Sequence, residues 1–246
     1  MKILVLGTGA REHAIVKSLI RTGTSASNIV VAPGNAGIAK DARTVSTVDQ
    51  LNPAEVTAFA LAESVELAII GPEAPLIAGV ADALREAGIA VFGPSQAAAA
   101  LEGSKAFAKE VMAAAGVPTG MAHECSTIEE VENAMKQFGA PYVIKADGLA
   151  AGKGVIVTSD EAAALEHARK FIDMGVLVEE FLDGQEVSLF FLSDGKTVIA
   201  RAECYRLTRS AAFVRGRVAG GERQGEHEGE AHGSRSYARK NQNAKW

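Results

Sequence analysis

A glycine-rich loop between two apolar runs limits most strongly what this chain can fold into. Residues 143–157 read VIKADGLAAGKGVIV, so three glycines and a lysine lie between two runs typical of β-strands. Glycines let backbone N–H groups approach an anion closely, and Lys145 and Lys153 add positive charge suited to phosphate. The segment therefore predicts a strand, a flap over a nucleotide triphosphate, and a second strand. The alternative is a plain hairpin whose glycines serve only the geometry of the turn.

The loop differs from a Walker A motif at several points. Three residues separate Gly148 from Gly152 and Lys153, where that motif has four, and Gly154 stands where it has Ser or Thr. The run after the loop is of strand type, whereas a Walker A loop leads into a helix. A phosphate contact here therefore depends on a hairpin and its lysines.

The N-terminal part of the chain alternates between apolar runs and helix signals. Short apolar runs without polar alternation predict buried parallel strands at residues 3–6, 28–32, 67–70 and 90–92. Helices are predicted between them, at residues 11–20, 52–64 and 75–87. The start at Asn52 is marked by Pro53 in the first helical position and by Glu55 three residues on. Strands alternating with helices predict an α/β fold with a doubly wound parallel sheet.

The pattern changes near residue 102, where we place a domain boundary. Helices are then predicted at residues 104–115, 127–138 and 161–170, the second with a capping box at Thr127 and Glu130. Strands are predicted on both sides of the glycine loop and at residues 176–181, 186–192 and 197–200. Residues 201–246 carry 10 Lys and Arg against 5 Asp and Glu, with one Leu and no Ile. That composition predicts a disordered or aberrant tail, against the alternative of a natural basic tail.

The overall composition excludes several classes of protein. A net charge of −5 argues against a nucleic-acid surface, and no apolar run reaches the length needed to span a bilayer. Two cysteines in 246 residues exclude a disulfide framework and fit a reducing cytoplasm. We therefore expect a cytoplasmic protein that binds neither nucleic acid nor a membrane.

Six short motifs, in their order and spacing, resemble one family from residue 1 to about residue 200. They are GTGAREHA at 7–14, APGNAG at 32–37, GPEAPL at 71–76, FGPS at 92–95, LEGSKAF at 101–107 and VEEFLDGQE at 178–186. With the glycine loop, they resemble the ATP-grasp superfamily and, within it, the glycinamide ribonucleotide synthetase (phosphoribosylamine–glycine ligase) family. Single motifs of this kind are weak signals, but six in order are specific.

The resemblance implies both an architecture and a reaction. It implies an N-terminal Rossmann-like substrate domain at residues 1–102, a partial ATP-grasp domain at 103–200 and a tail at 201–246. The implied activity is that of a monomeric ligase of purine biosynthesis, whose partners are the small molecules ATP, glycine and phosphoribosylamine. ATP phosphorylates glycine to glycyl phosphate, and the amine of phosphoribosylamine then attacks it to give glycinamide ribonucleotide, ADP and phosphate.

The turn after the first strand fails as a dinucleotide fingerprint. Glu12 replaces the third glycine, and no acidic residue ends the second strand. What remains is a helix start that carries Arg11 and His13 and attracts a phosphate. The alternatives are that these are ordinary polar residues of a first turn, and that Glu73 caps a helix beginning at Pro75. The resemblance implies that this edge of the sheet binds phosphoribosylamine through Gly7, Gly9, Arg11, Glu12, His13, Gly71, Pro72 and Glu73.

The resemblance places the ATP site in the second domain. Lys105 and Lys145 are implied to contact the ATP phosphates and to serve catalysis, while Lys109 is expected at the surface. The loop is implied to add Gly148, Gly152, Lys153 and Gly154. The adenine and ribose are implied to contact Glu179, Glu180, Phe181, Leu182 and Glu186. The alternative is that Lys105 and these acids are solvated surface groups.

The resemblance also implies Mg²⁺, and we assign no metal ligand in this chain. The ligands of the family lie in a later strand motif that is not found in this sequence. We therefore expect a truncated form that binds nucleotide weakly and catalyses poorly or not at all. Two other functions remain open, namely another ATP-grasp carboxylate–amine ligase and a catalytically silent nucleotide-binding module.

Overall fold

A computed structural model describes residues 1–150, 152–184 and 186–206 of the chain. Its N-terminal part is a parallel sheet with the strand order β3-β2-β1-β4-β5. The strands are β1 (Ile3–Gly7), β2 (Ile29–Pro33), β3 (Arg43–Thr44), β4 (Leu67–Ile70) and β5 (Ala90–Phe92). The helices are α1 (Ala10–Arg21), α2 (Pro53–Ala62), α3 (Glu73–Ile77), α4 (Val80–Glu86) and α5 (Gln96–Gly103). This arrangement confirms the predicted doubly wound sheet.

Helices cover both faces of this sheet, which explains why its strands read as unbroken apolar runs. Along β1 the side chains alternate between the faces. Leu4 and Leu6 pack in one apolar cluster with residues of α2 to α5, whereas Ile3 and Val5 pack in another that includes Val16 of α1. The strand is buried along its whole length, as expected for a strand of a doubly wound sheet.

Two features of the helices differ from the prediction. The helix expected at 75–87 is two helices, α3 and α4, because Gly79 adopts φ +87° between them. The sequence does not predict α5, since Ala99 is its only buried residue and its alanine run shows no amphipathic period. The positive φ of Gly79 and the alanine run of α5 thus account for the two differences, and neither is visible in the apolar period of the sequence.

The second part contains an antiparallel sheet with the order β6-β9-β7-β8. Its strands are β6 (Ala122–Cys125), β7 (Tyr142–Ala146), β8 (Val155–Thr158) and β9 (Val176–Glu179). Its helices are α6 (Lys105–Ala114), α7 (Ile128–Phe138) and α8 (Glu161–Phe171). Strands β7 and β8 flank the glycine loop and pair antiparallel, with Lys145 opposite Val155, which confirms the predicted hairpin. The sequence does not predict β6, whose AHEC segment lacks an apolar run.

One face of this second sheet is apolar and the other carries charge. Ile144 and Val178 pack with Val131 of α7 in the apolar cluster that α8 also joins. Because side chains alternate along a strand, Lys145 and Glu179 lie on the opposite face. That face is therefore the one on which the two strands present polar groups.

The remaining strands, β10 (Glu186–Ser193) and β11 (Val198–Arg206), form a separate antiparallel pair. The strand predicted at 176–181 ends at Glu179, and the one predicted at 197–200 extends to Arg206. Residues 201–206 of the predicted tail thus belong to a strand. Residues 207–246 lie outside the described part of the chain.

Both capping signals read from the sequence are present. Asn52 Oδ1 accepts hydrogen bonds from the N–H groups of Ala54 (3.1 Å) and Glu55 (3.3 Å) at the start of α2. At α7, Thr127 Oγ1 accepts from the Glu130 N–H (3.3 Å), and the Glu130 carboxylate accepts from the Thr127 N–H (3.2 Å). None of the helices in the described ranges has the length and apolar character needed to cross a membrane.

The break between α3 and α4 predicts a measurable backbone effect. A Cβ at position 79 would lie 3.4 Å from Gln96 Oε1, an ordinary contact, so the cost of Gly79→Ala comes from the positive φ. We expect that substitution to lower the free energy of unfolding by about 1–2 kcal/mol, measured by urea denaturation. Gly79→Asn should lose less, because Asn tolerates this conformation better. Equal losses for Ala and Asn would contradict the explanation.

Candidate active site

The carboxyl ends of β1 and β4 form a crevice at the edge of the parallel sheet. These strands are neighbours, and the strand order reverses between them, which is where ligands bind in open α/β sheets. Gly7 ends β1, Gly71 follows β4, and the Gly71 N–H donates to Leu6 O at 3.1 Å. Pro72 precedes the first residue of α3. The structure thus brings together the predicted substrate segments from both strands.

Glu12 occupies this crevice. Its side chain is 3% exposed, and Oε2 accepts a hydrogen bond from the Gly9 N–H at 2.6 Å. A Cβ built on Gly71 would lie 2.0 Å from Glu12 Oε1, and one built on Gly7 would lie 2.6 Å from Glu12 Cγ. The glycines at these positions therefore leave the room that the Glu12 side chain fills. In a dinucleotide fingerprint a third glycine would take the place of Glu12, and this contact would be lost.

Arg11 links Glu12 to the start of α3. Its Nε donates to Glu12 Oε1 at 3.3 Å, and its Nη1 donates to Glu73 Oε1 at 3.1 Å. The hydrogen bond from Arg11 holds the pKa of Glu73 below its usual value, and the same bond raises the pKa of Arg11. Helix α3 begins at Glu73 itself, two residues before the expected start at Pro75. The Arg11 side chain remains 57% exposed, so the guanidinium also faces solvent.

The His13 side chain contacts Asp41 and not the Arg11–Glu12–Glu73 group. Its Nε2 lies 2.6 Å from Asp41 Oδ2, and Lys17 Nζ lies 3.0 Å from the same oxygen. The hydrogen bond with His13 lowers the pKa of Asp41. The hydrogen bond described for the His13 ring thus joins α1 to Asp41, apart from the bonds that link Arg11, Glu12 and Glu73.

A second charged cluster lies on the charged face of the antiparallel sheet. Lys145 Nζ donates to Glu179 Oε2 at 2.8 Å, and Lys109 Nζ lies 3.6 Å from the same oxygen. The Glu179 side chain is 5% exposed and Lys145 is 15% exposed. Lys145 and Glu179 are diagonal neighbours, because Glu179 pairs with Val143, two residues before Lys145. The structure therefore places Lys145 in an ion pair that burial shields from solvent.

Lys109 is a residue whose position the sequence analysis misjudged. Expected at the surface, it is 17% exposed and donates to Thr119 Oγ1 at 2.9 Å and to Gly120 O at 2.7 Å. Burial lowers its pKa, and the nearby Glu179 opposes that effect. Its spacing of four residues from Lys105 puts both on one side of α6, and that spacing is the sequence signal for its involvement.

Asp147 fastens the base of the glycine loop to the start of α6. Its Oδ2 accepts from Ser104 Oγ at 2.9 Å, and its Oδ1 accepts from the Lys105 N–H at 2.5 Å. Its own N–H donates to Gly175 O at 2.9 Å. Lys105 Nζ in turn donates to Gly148 O at 2.9 Å. Asp147 is a second residue that the sequence analysis did not single out, although an acid facing a helix start is favourable.

The loop conformation depends on its glycines. Gly148 and Gly152 have φ of +83° and +78°, which favour glycine. A Cβ on Gly154 would lie 2.6 Å from the Ala150 Cβ. Lys153 is exposed at this loop. At the tip of the hairpin, Gly152 and Lys153 are thus exposed to solvent.

The segment after β9 packs on the entry to β6. The Glu180 N–H donates to Met121 O and the Met121 N–H donates to Glu180 Oε1, both at 3.0 Å. Phe181 and Leu182 are partly buried, and a Cβ on Gly120 would lie 3.4 Å from Leu182 Cδ1. Glu186 begins β10.

The described residues offer no group of three or more His, Cys, Asp or Glu arranged to hold a metal ion. No residue named here is assigned to a metal.

Comparisons with known proteins show which family the regions that carry these two clusters resemble. A family model for the N domain of phosphoribosylglycinamide synthetase matches residues 1–102, and one for its ATP-grasp (A) domain matches residues 103–221. A phosphoribosylamine–glycine ligase of Leifsonia xyli subsp. xyli is 63% identical over 200 residues, which are 81% of this chain and 48% of that protein. Its counterpart in Streptomyces coelicolor is 59% identical over 198 residues, 80% of this chain and 47% of that protein.

The solved structures agree with the family models. The crystal structure of phosphoribosylamine–glycine ligase from Thermotoga maritima superposes with a TM-score of 0.65 at 29% identity. The match covers 81% of this chain and 49% of that one. The chain thus spans about half the length of the curated relatives that it matches.

The contact between Glu12 and Gly71 predicts strong coupling between the two positions. Gly71→Ala alone should destabilise the protein by about 1–3 kcal/mol, because its Cβ collides with the buried carboxylate. Glu12→Ala alone should cost a similar amount, because it removes the acceptor for the Gly9 N–H. The double variant should lose less than the sum by about 1 kcal/mol or more, measured by urea unfolding.

A control pair of substitutions tests whether the coupling is specific to the contact between Glu12 and Gly71. Gly120→Ala adds a Cβ at 3.4 Å from Glu180 Cγ, where there is room, and should combine additively with Glu12→Ala. Additive losses for the Gly71 pair would contradict the proposed contact.

The clamp at the start of α6 predicts a second stability effect. Asp147→Ala should lower the free energy of unfolding by about 1–3 kcal/mol, because the Lys105 N–H and Ser104 Oγ lose a partly buried acceptor. Asp147→Asn keeps an acceptor oxygen and should retain most of the stability. The exposed Asp173→Ala serves as the control and should change little. A loss for Asn as large as for Ala would show that charge, and not the acceptor, is what matters.

Proposed function

This chain belongs to the phosphoribosylglycinamide synthetase family, and from that membership we propose that it takes part in joining glycine to 5-phosphoribosylamine at the expense of ATP. The products are glycinamide ribonucleotide, ADP and phosphate. In this proposal ATP binds against the glycine loop and α6, while phosphoribosylamine binds at the edge of the parallel sheet. The reaction belongs to purine biosynthesis.

The observation that carries the proposal is the position of two lysines at the base of a glycine loop. Lys105 comes from the start of α6 and Lys145 from β7, forty residues apart in sequence. Lys105 Nζ rests on the carbonyl of Gly148, and Lys145 Nζ on the carboxylate of Glu179. A phosphate oxygen would compete with Gly148 O for the ammonium group of Lys105, and with the Glu179 carboxylate for that of Lys145. A hairpin whose glycines served only turn geometry would not require lysines from two elements at its base.

The chemistry explains why a nucleotide triphosphate is needed. A free carboxylate does not accept an amine at neutral pH, because oxide is an impossible leaving group. Transfer of the γ-phosphoryl group to the glycine carboxylate forms glycyl phosphate and releases ADP. The amine of phosphoribosylamine then attacks the carbonyl carbon, and phosphate leaves.

The chain's own residues are proposed to act by binding and by offsetting charge. Phosphoryl transfer depends on positioning and on cations near the phosphates, and Lys105 and Lys145 would supply two of these. Lys153 and the loop N–H groups would close over the phosphates, with Gly148, Gly152 and Gly154 allowing the close approach. We assign no step to Mg²⁺, since no ligand for it is assigned among the described residues.

The adenine and ribose are proposed to lie along the segment after β9. Backbone groups at Glu179, Glu180, Phe181 and Leu182 would meet the base, and Glu186 would accept from the ribose hydroxyls. The support is that Glu179 lies beside Lys145, so the segment begins next to the proposed phosphate contact.

The substrate end is proposed at the crevice around Glu12. Arg11 is held between Glu12 and Glu73 and still faces solvent, so its guanidinium would be available to the substrate phosphate. Gly7, Gly9, Gly71, Pro72 and His13 would shape the surrounding wall. Glu73 would contact the amine or the ribose hydroxyls.

The remaining parts of the proposal concern organisation. Residues 1–102 would form the substrate domain and residues 103–200 the nucleotide domain, which agrees with the ranges of the first family model and the start of the second. We propose a monomer that acts in the cytoplasm on small molecules. The net charge of −5 is consistent with the absence of a nucleic-acid partner.

The proposal predicts that Lys145→Met weakens ATP binding by roughly 10–100-fold, because one charge-assisted contact to phosphate is lost. Equilibrium dialysis with labelled ATP measures it, and the exposed Lys136→Met on α7 serves as the control. Binding by Lys145→Met equal to that of the unaltered chain would contradict the proposed phosphate contact. Failure of the unaltered chain to bind ATP at all would contradict the proposed function.

A substrate screen separates the proposed reaction from its alternatives. We would measure ADP release with each amino acid, with and without phosphoribosylamine. Stimulation by glycine supports the proposed reaction, and stimulation by another carboxylate indicates a different ATP-grasp ligase. Binding of ATP without ADP release under any condition indicates a silent nucleotide-binding module.

A further inference from the structure

Helix α6 carries two partly buried attachments, four residues apart. Lys105 Nζ donates to Gly148 O in the glycine loop. Lys109 Nζ donates to Thr119 Oγ1 and Gly120 O and lies 3.6 Å from Glu179 Oε2. One helical turn therefore separates a contact to the loop from a contact to the other end of the proposed nucleotide site.

The Lys109 contacts reach the segment after β9 through a short chain of neighbours. Gly120 O accepts from Lys109, and Gly120 packs against Glu180 Cγ, at 3.4 Å from a Cβ built on it. The next residue, Met121, exchanges two hydrogen bonds with Glu180. Loss of the Lys109 ammonium would therefore release the surface on which Glu180 and Leu182 rest.

Lys109 also forms an ion pair with Glu179. That carboxylate is almost fully buried and lies near two ammonium groups, those of Lys145 and Lys109. If Lys145 turns to a phosphate, Glu179 loses its nearer partner. A buried carboxylate without a cation is costly, so Lys109 is the cation that remains beside Glu179 and holds it in place.

We propose that Lys109 is a positioning residue for the base end of the nucleotide site, holding Glu179 and the segment to Leu182 without contacting the nucleotide itself. This inference rests on the proposed function. Helix α6 would then act as a rigid spacer, since four helical residues fix a separation of about 6 Å along its axis between the two attachments. The alternative is that Lys109 contributes only to the stability of the fold.

Comparison of two ligands distinguishes these possibilities. ATP engages both the phosphate and the base end, whereas inorganic tripolyphosphate engages the phosphate end alone. Lys109→Met should weaken ATP binding about tenfold, because the base end of the site is no longer held. It should weaken tripolyphosphate binding by no more than about threefold, because for that ligand the only loss is that Lys145 leaves Glu179 less readily. Lys105→Met should weaken both ligands. Lys136→Met, at an exposed site, should change neither.

A conservative variant guards against a simple folding defect. Lys109→Arg keeps a cation and several donors and should recover part of the ATP affinity lost in Lys109→Met. Thermal unfolding of each variant reports the purely structural contribution. Lys109→Gln, which keeps a donor without the charge, replaces Lys109→Met in the comparison if the latter does not fold.

The outcomes distinguish the positioning role of Lys109 from the proposed function on which it rests. Equal weakening of both ligands by the Lys109 variants, or of neither, overturns the inference while leaving the proposed function intact. Absence of ATP binding by the unaltered chain overturns the proposed function and this inference with it. A loss of ATP affinity clearly larger than the loss of tripolyphosphate affinity, with partial recovery in Lys109→Arg, supports it.

Discussion

The carboxylate of Asp147 ties together parts of the chain that are distant in sequence. It accepts from Ser104 Oγ and the Lys105 N–H at the start of α6, and its own N–H donates to Gly175 O ahead of β9. The glycine loop begins at the next residue. The base of the loop is therefore fixed on two sides. The clamp thus helps to set the position of Lys105 relative to Lys145, together with the contacts of Lys109.

Buried carboxylates organise both candidate sites. Glu12 fills the crevice between β1 and β4, and Glu179 joins β9 to Lys145. In each case a cationic side chain remains partly accessible, namely Arg11 at the first site and Lys145 at the second. A buried acid of this kind costs desolvation but fixes the direction of its partner, which an exposed ion pair does not. In the proposed function, the same physical arrangement would present a cation to an anionic ligand in each of the two sheets.

The sequence predicted most elements whose signal is local. The apolar runs of the parallel sheet, the glycine hairpin, and the caps at Asn52 and Thr127 all follow from neighbouring residues. It missed the break at Gly79, because one backbone angle decides it, and α5, because alanines carry no periodic pattern. It also misplaced Lys109. A lysine on a helix is usually solvated, and only the tertiary contacts to Thr119 and Glu179 bury it.

In the proposed function, the charges around the loop would keep two lysines available to phosphate without leaving them free in water. Lys105 rests on a neutral carbonyl, so leaving it for a phosphate oxygen exchanges one hydrogen bond for a stronger, charge-assisted one. Lys145 must instead leave a carboxylate, which is unfavourable unless that carboxylate keeps another cation nearby. Lys109 stands 3.6 Å from it and meets that requirement. The cluster of two lysines and one acid is thus better suited to receiving an anion than a single ion pair would be.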